Sequence, residues 1–262
     1  MSEHVAITRE AGDVMLVRLM RPEKKNALTG AMYEALTAAL TEADETGAGA
    51  VVLTGSGGSF TAGNDLADFM AFASGSVTDL PARRFTTRLA ATETPLVAAV
   101  EGVAVGVGTT LTFHCDLVYA APSARFRMPF VDLGLVPEAG SSYLLPRRIG
   151  WAKATELLML GEPYDAPEAV RLGLVNAVIE ADALVAHALA QAAKLAAKPR
   201  AAIRATRGLI RGDGDQVREV MRRESEAFSA ALRSPEAREA FRAFLARSGD
   251  GGGKSEPGDA SV

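Results

Sequence analysis

Glu138 lies in RMPFVDLGLVPEAGSS (127–142), between Pro137 and an Ala-Gly-Ser-Ser run, and Asp132 is the one other acid of that stretch. A carboxylate there could serve as a catalytic acid or base. The same position suits a helix start, because proline and glutamate are both favoured in a first turn, where a carboxylate gains about 0.3–1 kcal/mol from the dipole. Two glycine turns could hold the complementary charge. In SFTAGNDLADF (59–69), Gly63 permits a tight turn and Asn64-Asp65 can cap a helix from Leu66. Such a turn leaves backbone N–H groups free to face an anion. In EGVAVGVGTTLTFHCD (101–116), Gly106 and Gly108 bracket Val107 ahead of an apolar helical stretch. The Val107 N–H can then point at a ligand from the positive end of a helix. Ordinary capping also explains the first turn, and close strand–helix packing the second. If the two turns converge, paired backbone donors can stabilise a carbonyl oxygen as it becomes an anion, where one donor is typically worth ~3 kcal/mol of barrier.

The elements that must position these groups follow from pattern. VAITREAGDVMLVRLM (5–20) predicts two strands about the turn Ala11-Gly12-Asp13. RPEKKNALT breaks that pattern, and Thr29 can cap a helix with the stripe Met32, Leu36, Ala39, Leu40, ending near Gly47. AVVLTG (50–55), LVAAVEG (96–102) and DLVYAA (116–121) are short, continuous apolar runs alternating with helical segments, which predicts strands buried on both faces. From Trp151 onward helices dominate, with LGLVNAVI (172–179) as a last strand. EADALVAHALAQAAKLAA (180–197) and residues 215–247 carry Ala, Leu, Glu and Arg at helical spacing. The expected division is an α/β core over 1–199, a C-terminal helical region over 200–247, and a disordered Gly/Ser/Asp tail over 248–262.

Composition narrows the function classes. Apolar residues make up 48% and charged residues 23% of 262, the balance of an ordinary globular protein. A net charge of −4 with interspersed signs argues against nucleic acid binding. Cys115, the one cysteine, reads as a buried inert thiol. The N-terminus lacks the apolar core of a signal peptide. Glu101, His114 and glycines 102, 106 and 108 interrupt the run from Leu96 to Cys115, so no membrane span is expected. The expected compartment is the cytoplasm. No His, Cys and carboxylate cluster has metal-ligand spacing, so neither a metal nor a separate cofactor is expected. His114 reads as a hydrogen-bonded core residue and Asp132 as a loop cap or salt-bridge partner.

Taken in order, RPEKKNAL, VVLTGSGGSFTAGNDL, TPLVAAVEGVAVGVGTTL, CDLVYAAPSARFRMPFVDLGLVPEAGSSYLLPRRIG and GLVNAVI resemble the crotonase, or enoyl-CoA hydratase/isomerase, superfamily. The resemblance runs from about Val5 to Leu209. It implies a crotonase-like superhelix of stacked ββα units with a C-terminal helical region, a homotrimer or dimer of trimers, and acyl-CoA thioesters as ligands. It implies an oxyanion hole at the backbone N–H groups of Asn64 and Val107. CoA contacts would lie around Ala62 and at Lys24 or Lys25, although paired lysines also suit a solvated loop.

The two glutamates that hydratases of this family use correspond here to Thr110 and Phe130. Neither side chain can activate water, which argues against hydration by the usual route. Glu138, with Gly63-Asn64-Asp65, instead resembles the Δ3,Δ2-enoyl-CoA isomerase branch, where a single glutamate makes the proton transfers. An apolar surround including Phe130 would raise its proton affinity. The loop from Met70 to Leu80 and the helix after it are expected to shape the acyl pocket. The competing readings are an enoyl-CoA hydratase or other crotonase-fold thioester reaction, and a non-catalytic acyl-CoA binding protein.

Overall fold

The computed structural model describes residues 2–65, 67, 68, 70 and 80–250, with side chains to 243. A β-hairpin, β1 (Val5–Glu10) and β2 (Val14–Leu19), opens the chain and turns through Gly12 and Asp13, both at positive φ. Helix α1 (Gly30–Thr46) starts where the Thr29 hydroxyl accepts the Met32 N–H, and ends at Gly47 in the left-handed conformation.

Strand β3 (Ala50–Thr54), helix α2 (Pro81–Ala91) and strand β4 (Leu96–Val100) follow. Beyond them come β5 (Val103–Val105), the single turn α3 (Val107–Thr110), β6 (Leu117–Ala120) and β7 (Arg125–Arg127). The main sheet has the order β1-β2-β3-β4-β6-β9, parallel from β2 onward, with β9 reduced to Ala177–Val178. Its continuous apolar strands have two cores because successive side chains point to opposite faces. Met15, Val17, Val51, Leu53, Ala98 and Val100 pack toward α1 and α2. Val14, Leu16, Val52, Val97 and Ala99 pack against Leu184, Ala188 and Ala192 of a later helix, Ala181–Ala196. Both faces are covered, which is why these strands do not alternate with polar residues.

The second sheet, β5-β7-β8 with β8 at Tyr164–Asp165, was not anticipated. Its strands are two or three residues long, too short for a periodic signal. The helices run α4 (Ser141–Ile149), α5 (Trp151–Met159), α6 (Ala166–Arg171), α7 (Ala181–Ala196), α8 (Arg200–Arg211), α9 (Gly214–Leu232) and α10 (Pro235–Asp250). This is a mixed α/β core followed by C-terminal helices. Helix α10 ends at Asp250, whereas the tail was expected from 248. Residues 251–262 lie outside the described residues, as do 71–79 of the loop expected to shape the acyl pocket. Among the described residues no helix is long and apolar enough to cross a membrane.

Candidate active site

A cavity of ≈ 230 Å³ opens between α2 and α9, and Asn64, Glu138 and Ala139 contribute to its lining. Leu80, Ala82, Ala90, Met221 and Phe228 supply apolar walls, while Thr86, Ser225 and Ser229 add hydroxyls. Arg83, Arg218 and Arg222 complete the charged part. Arg218 pairs with Asp215, and Arg222 with Glu219 and Glu226.

The two glycine turns stand side by side. Thr61 bridges to Ala104, its N–H donating to the Val103 carbonyl and its own carbonyl accepting from Val105 N–H. A Cβ on Gly63, at φ +88°, would sit 2.7 Å from the Val105 oxygen, and one on Gly108 would sit 2.7 Å from Cγ2 of Thr61. Glycine at both places allows this approach. Among the described residues no hydrogen bond is accepted from the N–H of Asn64 or of Val107, the first residue of α3. The Asn64 side chain is held by the phenol of Tyr33, which donates to its Oδ1 at 2.5 Å. Burial, with the charge of Glu138, raises the Tyr33 pKa well above 10 and keeps the donor protonated. Asp65 accepts from Ala67 N–H at 2.9 Å, as expected of a cap, and pairs with Arg21 at 2.7 Å. Leu66 itself lies outside the described residues.

Glu138 stands just before a sharp elbow. Ala139 at φ +55° and Gly140 at φ +75° are consecutive left-handed residues, after which α4 begins. The elbow is fastened on several sides. Ser141 Oγ donates to the Glu138 carbonyl at 2.6 Å, and Nε2 of His114 lies 2.7 Å from the Ala139 carbonyl. Burial lowers the His114 pKa to about 4, so the ring is neutral and donates from Nε2. The Thr110 hydroxyl donates to Oε1 of Glu138. Burial raises the Glu138 pKa to about 7; the Thr110 bond opposes that rise and the charge of Glu224 adds to it. A carboxylate with this proton affinity can both accept and release a proton near neutral pH.

The predicted site residues divide accordingly. Asn64 and Glu138 share the cavity, and Val107 is 1% exposed at the start of α3 beside the Gly63 turn. Lys24 and Lys25 are exposed at the end of a 3-10 turn, and the Lys25 carbonyl accepts from Ala62 N–H at 2.8 Å, which sets those residues together. Phe130 is buried in the apolar core but does not line the cavity, so the surround expected from it comes instead from α2 and α9. Cys115 is buried with its pKa pushed up to about 12, and Asp132 pairs with Arg127 at 2.9 Å. Among the described residues no group of three or more His, Cys, Asp or Glu side chains could hold a metal.

Tyr33, Glu224 and the hydroxyl role of Thr110 escaped the sequence reading. Tyr33 falls on the buried stripe of α1, where an aromatic reads as core, and Glu224 on a helix rich in charged residues.

Residues 9–249 match the model of the family described as Enoyl-CoA hydratase/isomerase. The chain belongs to that family. A probable enoyl-CoA hydratase, echA8, of Mycobacterium bovis is 36% identical over 238 residues, covering 88% of this chain and 91% of the relative. Enoyl-CoA delta isomerase 2 of Rattus norvegicus is 34% identical over 253 residues, covering 94% of this chain and 64% of that longer protein. Among solved structures, OdaA of Pseudomonas aeruginosa superposes with a TM-score of 0.88 at 44% identity, covering 93% of this chain and 99% of that one.

Proposed function

We propose that this member of the enoyl-CoA hydratase/isomerase family shifts the double bond of a 3-enoyl-CoA to give the conjugated 2-enoyl-CoA. The observation that carries this reading is that Glu138 is, among the described residues, the carboxylate lining the cavity beside Asn64, with its pKa raised to about 7, while the two positions where the family's hydratases place acids hold Thr110 and Phe130. The thioester carbonyl would lie between the N–H groups of Asn64 and Val107. Glu138 as carboxylate takes a proton from C2, which the thioester and the alkene both acidify. The electron pair moves into a dienolate whose charge rests on the thioester oxygen. The protonated Glu138 then delivers the proton to C4, and the electrons return to form the C2–C3 double bond. One carboxylate serves both steps when C2 and C4 present the same face of the bound chain. Ala62, Lys24 and Lys25 form the proposed CoA contact. The proposed assembly is a homotrimer or dimer of trimers, which would cover exposed apolar residues such as Trp151, Met159, Leu160, Leu209 and Ile210.

The hydratase name of the mycobacterial relative favours a second reading, addition of water to a 2-enoyl-CoA. That reaction needs a group to activate water and a group to deliver a proton, and Thr110 and Phe130 supply neither. Offering the protein a 3-enoyl-CoA and crotonyl-CoA in parallel separates the readings. Formation of the conjugated thioester from the first, without hydration of the second, is the expected result. Hydration alone overturns it, and binding without turnover of either points to an acyl-CoA binding protein.

A further inference from the structure

We infer that Glu224, on α9, is a positioning residue for Glu138. Its carboxylate holds the elbow at Gly140 and Ser142 and so fixes the reach of the proton carrier from the C-terminal helices. The inference rests on Glu138 being that carrier.

The geometry is specific. Oε2 of Glu224 accepts the Gly140 N–H at 2.6 Å, while Oε1 accepts both the N–H of Ser142, at 3.0 Å, and its hydroxyl. All three donors lie within four residues of Glu138, on the backbone that turns through two left-handed positions. Helix α4 has no side-chain cap of its own at Gly140, so Glu224 supplies one from across the fold. The side chain is buried, the residue being 7% exposed, and among the described residues no cation lies within ion-pair distance of it. On its own helix, Arg218 and Arg222 have other carboxylate partners and Arg223 is exposed. Burial raises the pKa of Glu224, and the three donors oppose that rise by favouring the accepting carboxylate.

The same placement sets a charge behind Glu138. Around Glu138 stand Tyr33 from α1, Glu224 from α9 and, through the Ala139 carbonyl, His114, while Arg83 from α2 and Arg218 and Arg222 from α9 line the same cavity. Glu224 is the acid whose charge raises the proton affinity of Glu138, and Asp68 also acts on Tyr33. Glu224 thus serves as a clamp, and its charge adds to the proton affinity that burial chiefly gives Glu138. A cap with a purely structural role would change the melting temperature and leave the titration of Glu138 in place.

Glu224→Gln, nearly equal in volume, removes the charge and turns an acceptor into a donor facing the elbow. Two measurements decide. In turnover of a 3-enoyl-CoA, kcat falls roughly 10- to 100-fold, the scale expected for a misplaced catalytic group, while KM stays near wild type. In ¹³C NMR of the full-length protein labelled at glutamate carboxyls, with the signal assigned by Glu138→Gln, the Glu138 midpoint moves down in pH. Unchanged kcat and an unmoved midpoint in the folded variant overturn the inference and leave the proposed reaction standing. If the wild type does not isomerise the substrate, the reaction fails while the titration still decides the role of Glu224. Should Glu224→Gln not fold, Ser142→Ala removes one donor and is read by the same two measurements: a reduced kcat or a displaced midpoint supports the inference, and neither overturns it.

Discussion

Thr110→Val isolates the one hydrogen bond made to the carboxylate of Glu138 among the described residues. Valine keeps the volume of threonine at a position with no exposed surface and removes the hydroxyl that donates to Oε1. A hydrogen bond to a charged group is worth about 1.5–3 kcal/mol, and one pKa unit corresponds to about 1.4 kcal/mol. That bond favours the ionised form, so its loss raises the Glu138 pKa from about 7 by about 1–2 units. Isomerisation needs the ionised base, so kcat/KM rises with pH through this pKa and levels off above it. At pH 7 the ionised fraction falls from about a half to between about a tenth and a hundredth, which lowers kcat/KM by about 5- to 50-fold. The loss is recovered as pH rises past the new midpoint. The assay is the pH profile of kcat/KM with a 3-enoyl-CoA for both proteins. A profile with its midpoint unmoved, or a loss equal at all pH values, refutes the reasoning, because Thr110 would then not act through the proton affinity of Glu138.

Two further outcomes are expected. Tyr33→Phe removes the donor to Asn64 Oδ1 and lowers kcat by about fivefold, the equivalent of about 1 kcal/mol of hydrogen-bond energy; a melting curve close to wild type with unchanged kcat would mean that the Asn64 turn holds without it. Trp151, Leu209 and Ile210 are 77%, 84% and 80% exposed in the single chain. Light scattering should therefore report three chains or six, and Leu209→Asp with Ile210→Asp should shift the species toward one; a wild-type monomer contradicts the assembly.

Much of the frame was legible because local chemistry and pattern agree there. Thr29 and Gly47 mark α1 by capping and by left-handed backbone, and the unbroken apolar runs of β3 and β4 announce strands covered on both faces. Glu138 was legible through the resemblance, since its place after a proline also fits a plain helix start. What stayed hidden depends on convergence of distant segments. Tyr33 meets Asn64 across 31 residues, Thr110 meets Glu138 across 28, and Glu224 meets Gly140 across 84. Thr110 read as a lost acid, because nothing in its spacing places its hydroxyl on the remaining one. Phe130 read as a wall of the site, and the parallel pairing of β5 with β7 ahead of it is a contact of two short strands that no periodicity records.

The central claim is that Glu138 carries the proton between C2 and C4, and Glu138→Gln tests it most directly. Glutamine keeps the shape and can neither take nor return a proton. With a 3-enoyl-CoA at saturating concentration, formation of the conjugated thioester should fall by at least about 100-fold, the lower end of what a positioned acid–base group contributes, while binding of the thioester is retained. Isomerisation by Glu138→Gln at the wild-type rate would contradict it.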